Sequence, residues 1–255
     1  MKLHYRTLGE GPPLIILHGI FGTSDNWQTF GKQLASDYQV FLIDQRNHGL
    51  SPHSDTFDYP SMAEDLQQFI QQHQLGTPII LGHSMGGKVA MFYAIKYPDK
   101  FSKLVVVDIA PRSYPVHHQH ILDAMGSVDL SSVASRGDVE DQLKSHLSDW
   151  GVRQFIMKNL KREENNTFSW KLNLPAIQEN IENVGVAVEA SEPVHKPTLF
   201  VRGEKSDYIP SEDESLIHEI FPEARIVTIE KAGHWVHAEQ PQTLYEALIQ
   251  FLQPS

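Results

Sequence analysis

Short runs of apolar residues, separated by longer stretches of mixed composition, recur along this 255-residue chain. Runs of this kind are typical of strands that are buried on both faces of a parallel sheet. The stretches between them place apolar residues at helical spacing, as residues 62–70 do. Alternation of strand and helix predicts an α/β fold with a doubly wound, mostly parallel sheet. The predicted strands are 14–17, 40–43, 79–81, 104–107, 199–201 and 225–229.

The interval from residue 112 to residue 196 interrupts this alternation, because it contains no apolar run of the buried-strand type. We therefore predict that residues 1–111 and 197–255 form one α/β core and that residues 112–196 form a helical lid over the carboxyl ends of its strands. A separate helical domain is the alternative, which the short connections and the later return of strands disfavour. The interval holds helix-like pieces at 119–125, 139–147, 152–160 and 174–183, a polar turn at 161–167, and a small hairpin or extended piece at 168–172.

A Gly-x-Ser-x-Gly motif, made by Gly82, Ser84 and Gly86, lies between a predicted strand and a helix-like run. This context is that of a nucleophile elbow, where the flanking positions lack side chains so that strand and helix approach closely. The turn exposes the serine hydroxyl and aims the following amide beside it. The same five-residue pattern also occurs in ordinary tight turns. Its position between strand and helix favours Ser84 as a nucleophile.

A serine hydroxyl needs a base to remove its proton, and histidine suits that task near neutral pH. Among the 14 histidines, His234 follows the last predicted strand, at the sheet edge where the elbow lies. It is the predicted base, and His237 is its nearest competitor. Two carboxylates at the same edge qualify as partners of the imidazole: Asp207 after the fifth predicted strand and Asp108 after the fourth. We favour Asp207, because the acid usually lies in the loop that precedes the histidine strand, while both carboxylates stay candidates.

Backbone amides are expected to complete the site, because the tetrahedral intermediate of acyl transfer carries an oxyanion. One donor is the amide of Met85, directly after the nucleophile. The second is expected in the loop after the first predicted strand, where Ile20 is the preferred residue and Phe21 the alternative. His18 and the polar turn at 44–51 are interpreted as structural supports of this loop.

The composition argues against several other classes of function. The formal net charge is −11 and no run of Lys and Arg occurs, so nucleic-acid binding is not expected. The absence of cysteine excludes thiol catalysis, disulfides and cysteine metal sites, and it fits the expected cytoplasmic location. No signal-peptide pattern occurs, and no apolar run approaches the ~20 residues of a membrane span. The sequence makes no prediction of oligomeric state.

No cofactor and no metal are predicted for this chain. Neither a Gly-x-Gly-x-x-Gly motif after a strand nor a P-loop is present. His117, His118 and His120 form a short cluster, but no carboxylate completes a recognisable ligand spacing. The start of a solvated helix is the preferred interpretation of that cluster.

Taken together, these residues resemble the α/β-hydrolase superfamily over essentially the whole chain. The segments 46–52, 108–111 and 233–239 are more narrowly similar to the bacterial YbfF-type esterases. This resemblance implies hydrolysis of short acyl esters and, as a further possibility, of acyl-CoA thioesters. In that group the position of Asp207 can lack an aspartate, and the residue matching Asp108 then serves the triad. The resemblance therefore leaves both acids open.

We predict a serine carboxylesterase that acts on short- to medium-chain acyl esters through an acyl-enzyme on Ser84. The predicted partner is a small-molecule acyl ester. A haloalkane dehalogenase or epoxide hydrolase is excluded, since each needs a carboxylate at the position of Ser84. Two alternatives stay open: a C–C hydrolase, lyase, acyltransferase or perhydrolase with the same triad, and a ligand-sensing binding protein with weak turnover.

Overall fold

A seven-stranded sheet forms the centre of the computed structural model, which describes residues 1–253. The strands are β1 (Tyr5–Leu8), β2 (Pro13–Leu17), β3 (Gln39–Ile43), β4 (Ile79–His83), β5 (Lys103–Val107), β6 (Leu160–Arg162), β7 (Phe168–Trp170), β8 (Thr198–Gly203) and β9 (Ala224–Ile229). The central sheet has the order β1-β3-β2-β4-β5-β8-β9, and β1 runs antiparallel to β3 whereas the other pairs are parallel. The predicted doubly wound, mostly parallel sheet and its six predicted strands are confirmed.

Helices cover both faces of this sheet. They are α1 (Gln28–Leu34), α2 (Tyr59–Gln72), α3 (Met85–Lys96), α4 (Gln119–Ser127), α5 (Arg136–Lys144), α6 (Trp150–Met157), α7 (Leu174–Glu179), α8 (Glu214–Ile220), α9 (Val236–Glu239) and α10 (Pro241–Leu252), with 3₁₀ turns at Ser24–Trp27, Ile181–Gly185 and Ser211–Asp213. None of the helices in the described part of the chain has the length and apolar character needed to cross a bilayer.

The pleat of β2 explains why its sequence is continuously apolar. Leu14 and Ile16 pack into the cluster that contains α1 and α10, whereas Ile15 and Leu17 pack into the cluster that contains α2 and α3. Successive side chains of a strand point to opposite faces, so a strand covered on both sides needs apolar residues at every position. The central strands therefore form the floor on which the loops at their carboxyl ends are held.

The chain between β5 and β8, called the inserted segment below, contains α4 to α7, the strands β6 and β7 and the 3₁₀ turn at Ile181–Gly185. Each of the four helix-like pieces contains a helix, but three of them end earlier than predicted: α5 ends at Lys144, α6 ends at Met157 before Leu160 enters β6, and α7 ends at Glu179 before the 3₁₀ turn. β6 pairs with β7 in a small antiparallel hairpin. The predicted turn over 161–167 is wrong at its start, because Lys161 and Arg162 belong to β6. Cross-strand pairing of this hairpin overrides the polar composition of those two residues.

A buried lysine ties the inserted segment to the helix that follows the predicted nucleophile. The side chain of Lys88 on α3 is fully buried. Its Nζ donates hydrogen bonds to the carbonyl oxygens of Pro111 (3.2 Å), Arg112 (2.6 Å) and Val186 (2.6 Å). These carbonyls lie at the start of the inserted segment and after its last 3₁₀ turn, so one side chain fastens two distant stretches of it.

Replacing Lys88 with methionine is expected to lower the free energy of unfolding by about 2 kcal/mol, because carbonyls then lose their donor while the apolar stem is kept. Urea denaturation monitored by circular dichroism measures the change. Lys96→Met on the same helix is the matched control, since the exposed Lys96–Glu64 pair contributes little. Equal denaturation midpoints for the two variants would contradict the proposed tether.

Candidate active site

Ser84 occupies a sharp turn between β4 and α3, with φ 53° and ψ −119°. Positive φ is strained for a residue with a side chain, and it persists where the surrounding structure holds it. A Cβ on Gly82 would lie 2.1 Å from the carbonyl oxygen of Gly86, and one on Gly86 would lie 2.4 Å from that of Leu17. Both glycines are therefore required for the close approach of strand, helix and β2.

His234 and Asp108 form a hydrogen-bonded chain with Ser84. Nε2 of His234 lies 3.0 Å from Ser84 Oγ, and Nδ1 lies 2.8 Å from Asp108 Oδ2. Because a carboxylate only accepts, Nδ1 carries the proton and Nε2 is free to accept the serine proton. Asp108 follows β5 and is completely buried, whereas His234 follows β9. Three strand ends at one edge of the sheet thus bring the three side chains together.

Two further donors hold the Asp108 carboxylate. The amide of Gly203 donates to Oδ1 at 2.9 Å. The hydroxyl of Ser206 donates a short hydrogen bond to Oδ2, the oxygen that also contacts His234. The sequence analysis does not single out Ser206, although it does place the neighbouring Asp207, and hence this loop, at the edge of the sheet where Ser84 lies. These bonds fix the buried carboxylate toward the imidazole.

Asp207, the preferred acid of the sequence analysis, is not brought to His234. Its side chain is exposed, and its contact with Arg112 runs through its backbone carbonyl, which accepts from Nη2 at 3.2 Å. The geometry therefore favours Asp108 over Asp207 as the partner of His234, the reverse of the preference that the sequence indicates. The physical reason is the turn after β8, which directs the Ser206 hydroxyl inward and the next side chain to solvent.

Neighbouring rings fix the position of the His234 imidazole. Tyr208 stacks on it, with 4.0 Å between ring centroids and an interplanar angle of 21°. Nε2 of His83 donates to the backbone carbonyl of His234 at 2.8 Å. His237, the competing base of the sequence analysis, instead stacks on Trp27 at 4.1 Å, and burial lowers its pKa to about 3. The His237 ring therefore packs against Trp27 and forms no hydrogen bond with the Ser84 hydroxyl.

Two backbone amides near Ser84 are free to donate. The turn that contains Ile20 lines the same cavity as Ser84, and Met85 begins α3. Within residues 1–253, neither amide has a hydrogen-bond acceptor in the protein. The amide of Phe21, the alternative donor, is engaged, because it donates to Nε2 of His48 at 3.2 Å. The geometry therefore favours Ile20 over Phe21.

Buried, neutral histidines support this turn. Nδ1 of His18 lies 2.8 Å from the carbonyl oxygen of Gly19, and Nε2 accepts from the amide of Gln45 at 3.1 Å. Burial lowers the pKa of His18, and it lowers the pKa of His48 to about 3. Both rings consequently act as uncharged hydrogen-bonding groups, which agrees with the structural role that the sequence predicts for His18.

A cavity of about 310 Å³ opens beside Ser84 and His234. This volume is at the lower end of the range of small-molecule sites, and the lining is mostly apolar and aromatic, as such sites require. Among the described residues, no group of three or more His, Asp or Glu side chains is arranged to hold a metal. The cavity is lined by Ile20, Phe21, Trp27, His117, His118, His120, Ile121, Val152, Phe155, Tyr208 and Trp235, among others.

Comparison with known proteins agrees with the fold. The profile of the alpha/beta hydrolase fold family matches residues 12–146. The chain is 39% identical over 255 residues to the sn-1-specific diacylglycerol lipase ABHD11 of Danio rerio, covering 96% of this chain and 80% of that one. It is 34% identical over 241 residues to esterase YbfF of Escherichia coli (strain K12), covering 94% and 92%. A solved marine microorganism esterase is 46% identical with a TM-score of 0.96, covering 98% and 99%.

The similarities to the two relatives and to the solved esterase extend over nearly the whole chain, so they concern the core and the inserted segment together. They confirm the predicted resemblance to YbfF-type esterases and the predicted fold class. The chain belongs to the α/β-hydrolase family, as a serine hydrolase of the esterase type.

Proposed function

We propose that this protein is a lidded carboxylesterase that hydrolyses acyl esters through an acyl-enzyme on Ser84. The observation that carries the proposal is the hydrogen-bonded chain Asp108–His234–Ser84, which ends at an apolar cavity. The inserted segment serves as the lid, because its residues Ile121, Val152 and Phe155 line that cavity. A cytoplasmic location is part of the proposal, since the chain has no cysteine that an oxidising compartment would pair.

Acylation begins when His234 takes the proton of Ser84 as Oγ attacks the ester carbonyl carbon. The Asp108 carboxylate keeps Nδ1 protonated and stabilises the imidazolium that forms at this step. The carbonyl oxygen becomes an oxyanion, which accepts hydrogen bonds from the amides of Ile20 and Met85. His234 then gives the proton to the leaving alcohol, and the acyl group remains on Ser84.

Deacylation repeats these steps with water as the nucleophile. His234 removes a proton from the water, whose oxygen attacks the acyl-enzyme carbonyl. Collapse of the second tetrahedral intermediate returns the proton to Ser84 and releases the carboxylic acid. Each protein group acts twice, and no cofactor takes part in the scheme.

The shape of the site favours short- and medium-chain acyl groups. The cavity of about 310 Å³ receives a short chain directly. A second space of about 270 Å³ shares Phe155 and Trp235 with it and reaches the exposed Trp150. A longer chain that extends in this direction would have to pass the rings of Phe155 and Trp235, whose centroids are 5.8 Å apart. Turnover is therefore expected to fall as the acyl chain extends beyond the first cavity.

A substrate panel tests this proposal. Initial rates are measured on p-nitrophenyl acetate, butyrate, octanoate and palmitate, on butyryl-CoA and on a diacylglycerol, the ester class in the name of the Danio rerio relative. The expected result is saturable ester hydrolysis that peaks at a short or medium chain. Ester turnover no faster than that of Ser84→Ala, with saturable ligand binding retained, would favour the binding-protein alternative instead.

Replacing Ser206 with alanine is expected to lower kcat by about tenfold, because loss of one hydrogen bond to a charged group weakens the positioning of Asp108. KM should change little, since Ser206 does not line the acyl cavity. Ser215→Ala, a serine on α8 whose hydroxyl bonds a backbone carbonyl, is the control and should keep full activity. Wild-type kcat in Ser206→Ala would remove Ser206 from the proposed mechanism.

A further inference from the structure

The turn that carries the Ile20 amide is held in a strained conformation. The amide of Gly22 donates to the carbonyl oxygen of Gly19 at 3.0 Å and closes the turn. Phe21 has φ 60°, a conformation that costs about 1–3 kcal/mol for a residue with a bulky side chain. Such a residue keeps this conformation only where its neighbours hold it. The direction of the turn amides therefore depends on the groups that bind its carbonyls.

The Ile20 amide is oriented through the carbonyl of its own peptide unit. The Gly19 carbonyl and the Ile20 N–H belong to one planar trans peptide, so they point in opposite directions. Two donors hold that carbonyl, namely the Gly22 amide and Nδ1 of His18 at 2.8 Å. Fixing the oxygen in this way directs the N–H to the other side.

The peptide unit between Phe21 and Gly22 connects the turn to the inserted segment. The Gly22 N–H shares its peptide with the Phe21 carbonyl, and that carbonyl accepts a hydrogen bond from Nδ2 of Asn159 at 2.8 Å. An unbroken series of hydrogen bonds and peptide units thus runs from Asn159 through the turn to the Ile20 amide. Hydrogen bonds in series polarise one another, which strengthens the last donor.

Asn159 keeps its hydrogen bond to the Phe21 carbonyl at a cost to stability. The residue is 1% exposed and lies just after α6. Its backbone N–H donates to the Ile156 carbonyl at 2.9 Å, and its backbone carbonyl accepts from the Lys171 N–H at 2.8 Å. Its side-chain oxygen is buried without a partner among the described residues. Keeping a half-satisfied amide in the interior is unfavourable, and a leucine of similar size would avoid it. The donor to Phe21 is the contact that only the amide supplies.

We propose that Asn159 is a positioning residue that aims the Ile20 amide at the reaction oxyanion, so that the oxyanion hole is complete only when the inserted segment is docked. The proposal rests on the proposed esterase function. It assigns Asn159 no contact with substrate. Its effect should therefore fall on stabilisation of the tetrahedral intermediate and leave ground-state binding unchanged.

Asn159→Leu removes the donor at similar side-chain size, and Asn159→Ala removes it and leaves no group that can replace it; the two variants are compared with wild type. Asn183→Leu is the matched control, because its Nδ2 also joins the inserted segment to a core carbonyl, that of Phe57 at 3.1 Å. The readouts are kcat, KM and the inhibition constant of an alkyl trifluoromethyl ketone. Ser84 Oγ adds to the ketone carbon, His234 takes the hydroxyl proton, and the ketone oxygen becomes an oxyanion. Titration with a fluorophosphonate normalises the rates to folded enzyme.

Both Asn159 variants are expected to lose about tenfold in kcat, less than deletion of a whole oxyanion donor, with KM within about twofold. The ketone inhibition constant should rise by a similar factor, and Asn183→Leu should change neither quantity. An unchanged inhibition constant in either folded Asn159 variant would overturn the proposal, even if kcat fell. Failure of the esterase proposal itself would look different, because wild type would then turn over esters no faster than Ser84→Ala.

Discussion

Ser84→Ala is expected to lose about 10⁶-fold in kcat for ester hydrolysis, the loss found when a triad serine is removed. The alanine keeps the Cβ at the elbow and removes only Oγ, whose hydrogen-bond partner is His234. The thermal midpoint should therefore stay close to that of wild type. Steady-state rates on p-nitrophenyl butyrate and circular dichroism on the same preparation measure both quantities.

The two measurements separate a chemical role of Ser84 from a structural one. Loss of activity with an unchanged thermal midpoint assigns the chemistry to the hydroxyl, whereas loss of activity together with a lowered thermal midpoint would reflect disruption of the strained elbow. Retained ester hydrolysis in a folded Ser84→Ala enzyme would exclude the acyl-enzyme mechanism.

Asp108→Asn is expected to lower kcat by about 10⁴-fold, as asparagine does in other triads. The asparagine can still accept the Gly203 amide through its oxygen, which turns its NH₂ group toward Nδ1 of His234. The imidazole must then accept at Nδ1 and carry its proton on Nε2, where it cannot take the serine proton. Loss of the carboxylate also removes the charge that stabilises the imidazolium.

Asp207→Asn is the matched variant, and its kcat is expected to stay within about twofold of wild type. Its side chain is exposed, and the Arg112 contact to its backbone carbonyl survives the change. The pair is measured on one ester at saturating concentration, with KM determined separately. A crippled Asp207→Asn beside an active Asp108→Asn would reverse the assignment of the acid.

The central strands and the sharp turn at Ser84 between β4 and α3 are the parts that the sequence predicts well. A strand such as β2, covered on both faces, must be apolar at every position, and this leaves an unmistakable run. The edge strand β1 was not among the predicted six, because Tyr5–Leu8 is only partly buried and mixes polar with apolar residues. The elbow is also predictable from a short stretch of sequence, since Gly82, Ser84 and Gly86 lie within five consecutive residues.

The acid could not be chosen from sequence, because the choice depends on which side chain of one turn faces inward. Asp108 and Asp207 both follow strands that end at the same edge. Ser206 takes the inward position and binds the Asp108 carboxylate, which leaves Asp207 outside. Which of two consecutive side chains faces inward therefore decides which carboxylate contacts His234, and neither spacing nor composition predicts this.

Local sequence patterns also could not predict which residues hold the turn that carries the Ile20 amide. The amide of Phe21 is engaged by His48, and its carbonyl is held by Asn159, which lies 138 residues further along the chain. Nothing at the end of α6 distinguishes that asparagine from a helix-terminating residue. Its role becomes visible only when the inserted segment is folded against the core.

The most direct test of the catalytic centre is covalent labelling with a fluorophosphonate ester, followed by peptide mapping and rate measurement on the labelled enzyme. The prediction is one adduct per chain, located on Ser84 and absent from Ser84→Ala, with ester hydrolysis falling to zero in proportion to labelling. An adduct on another residue, or full ester hydrolysis by an enzyme completely labelled at Ser84, would contradict the proposed mechanism.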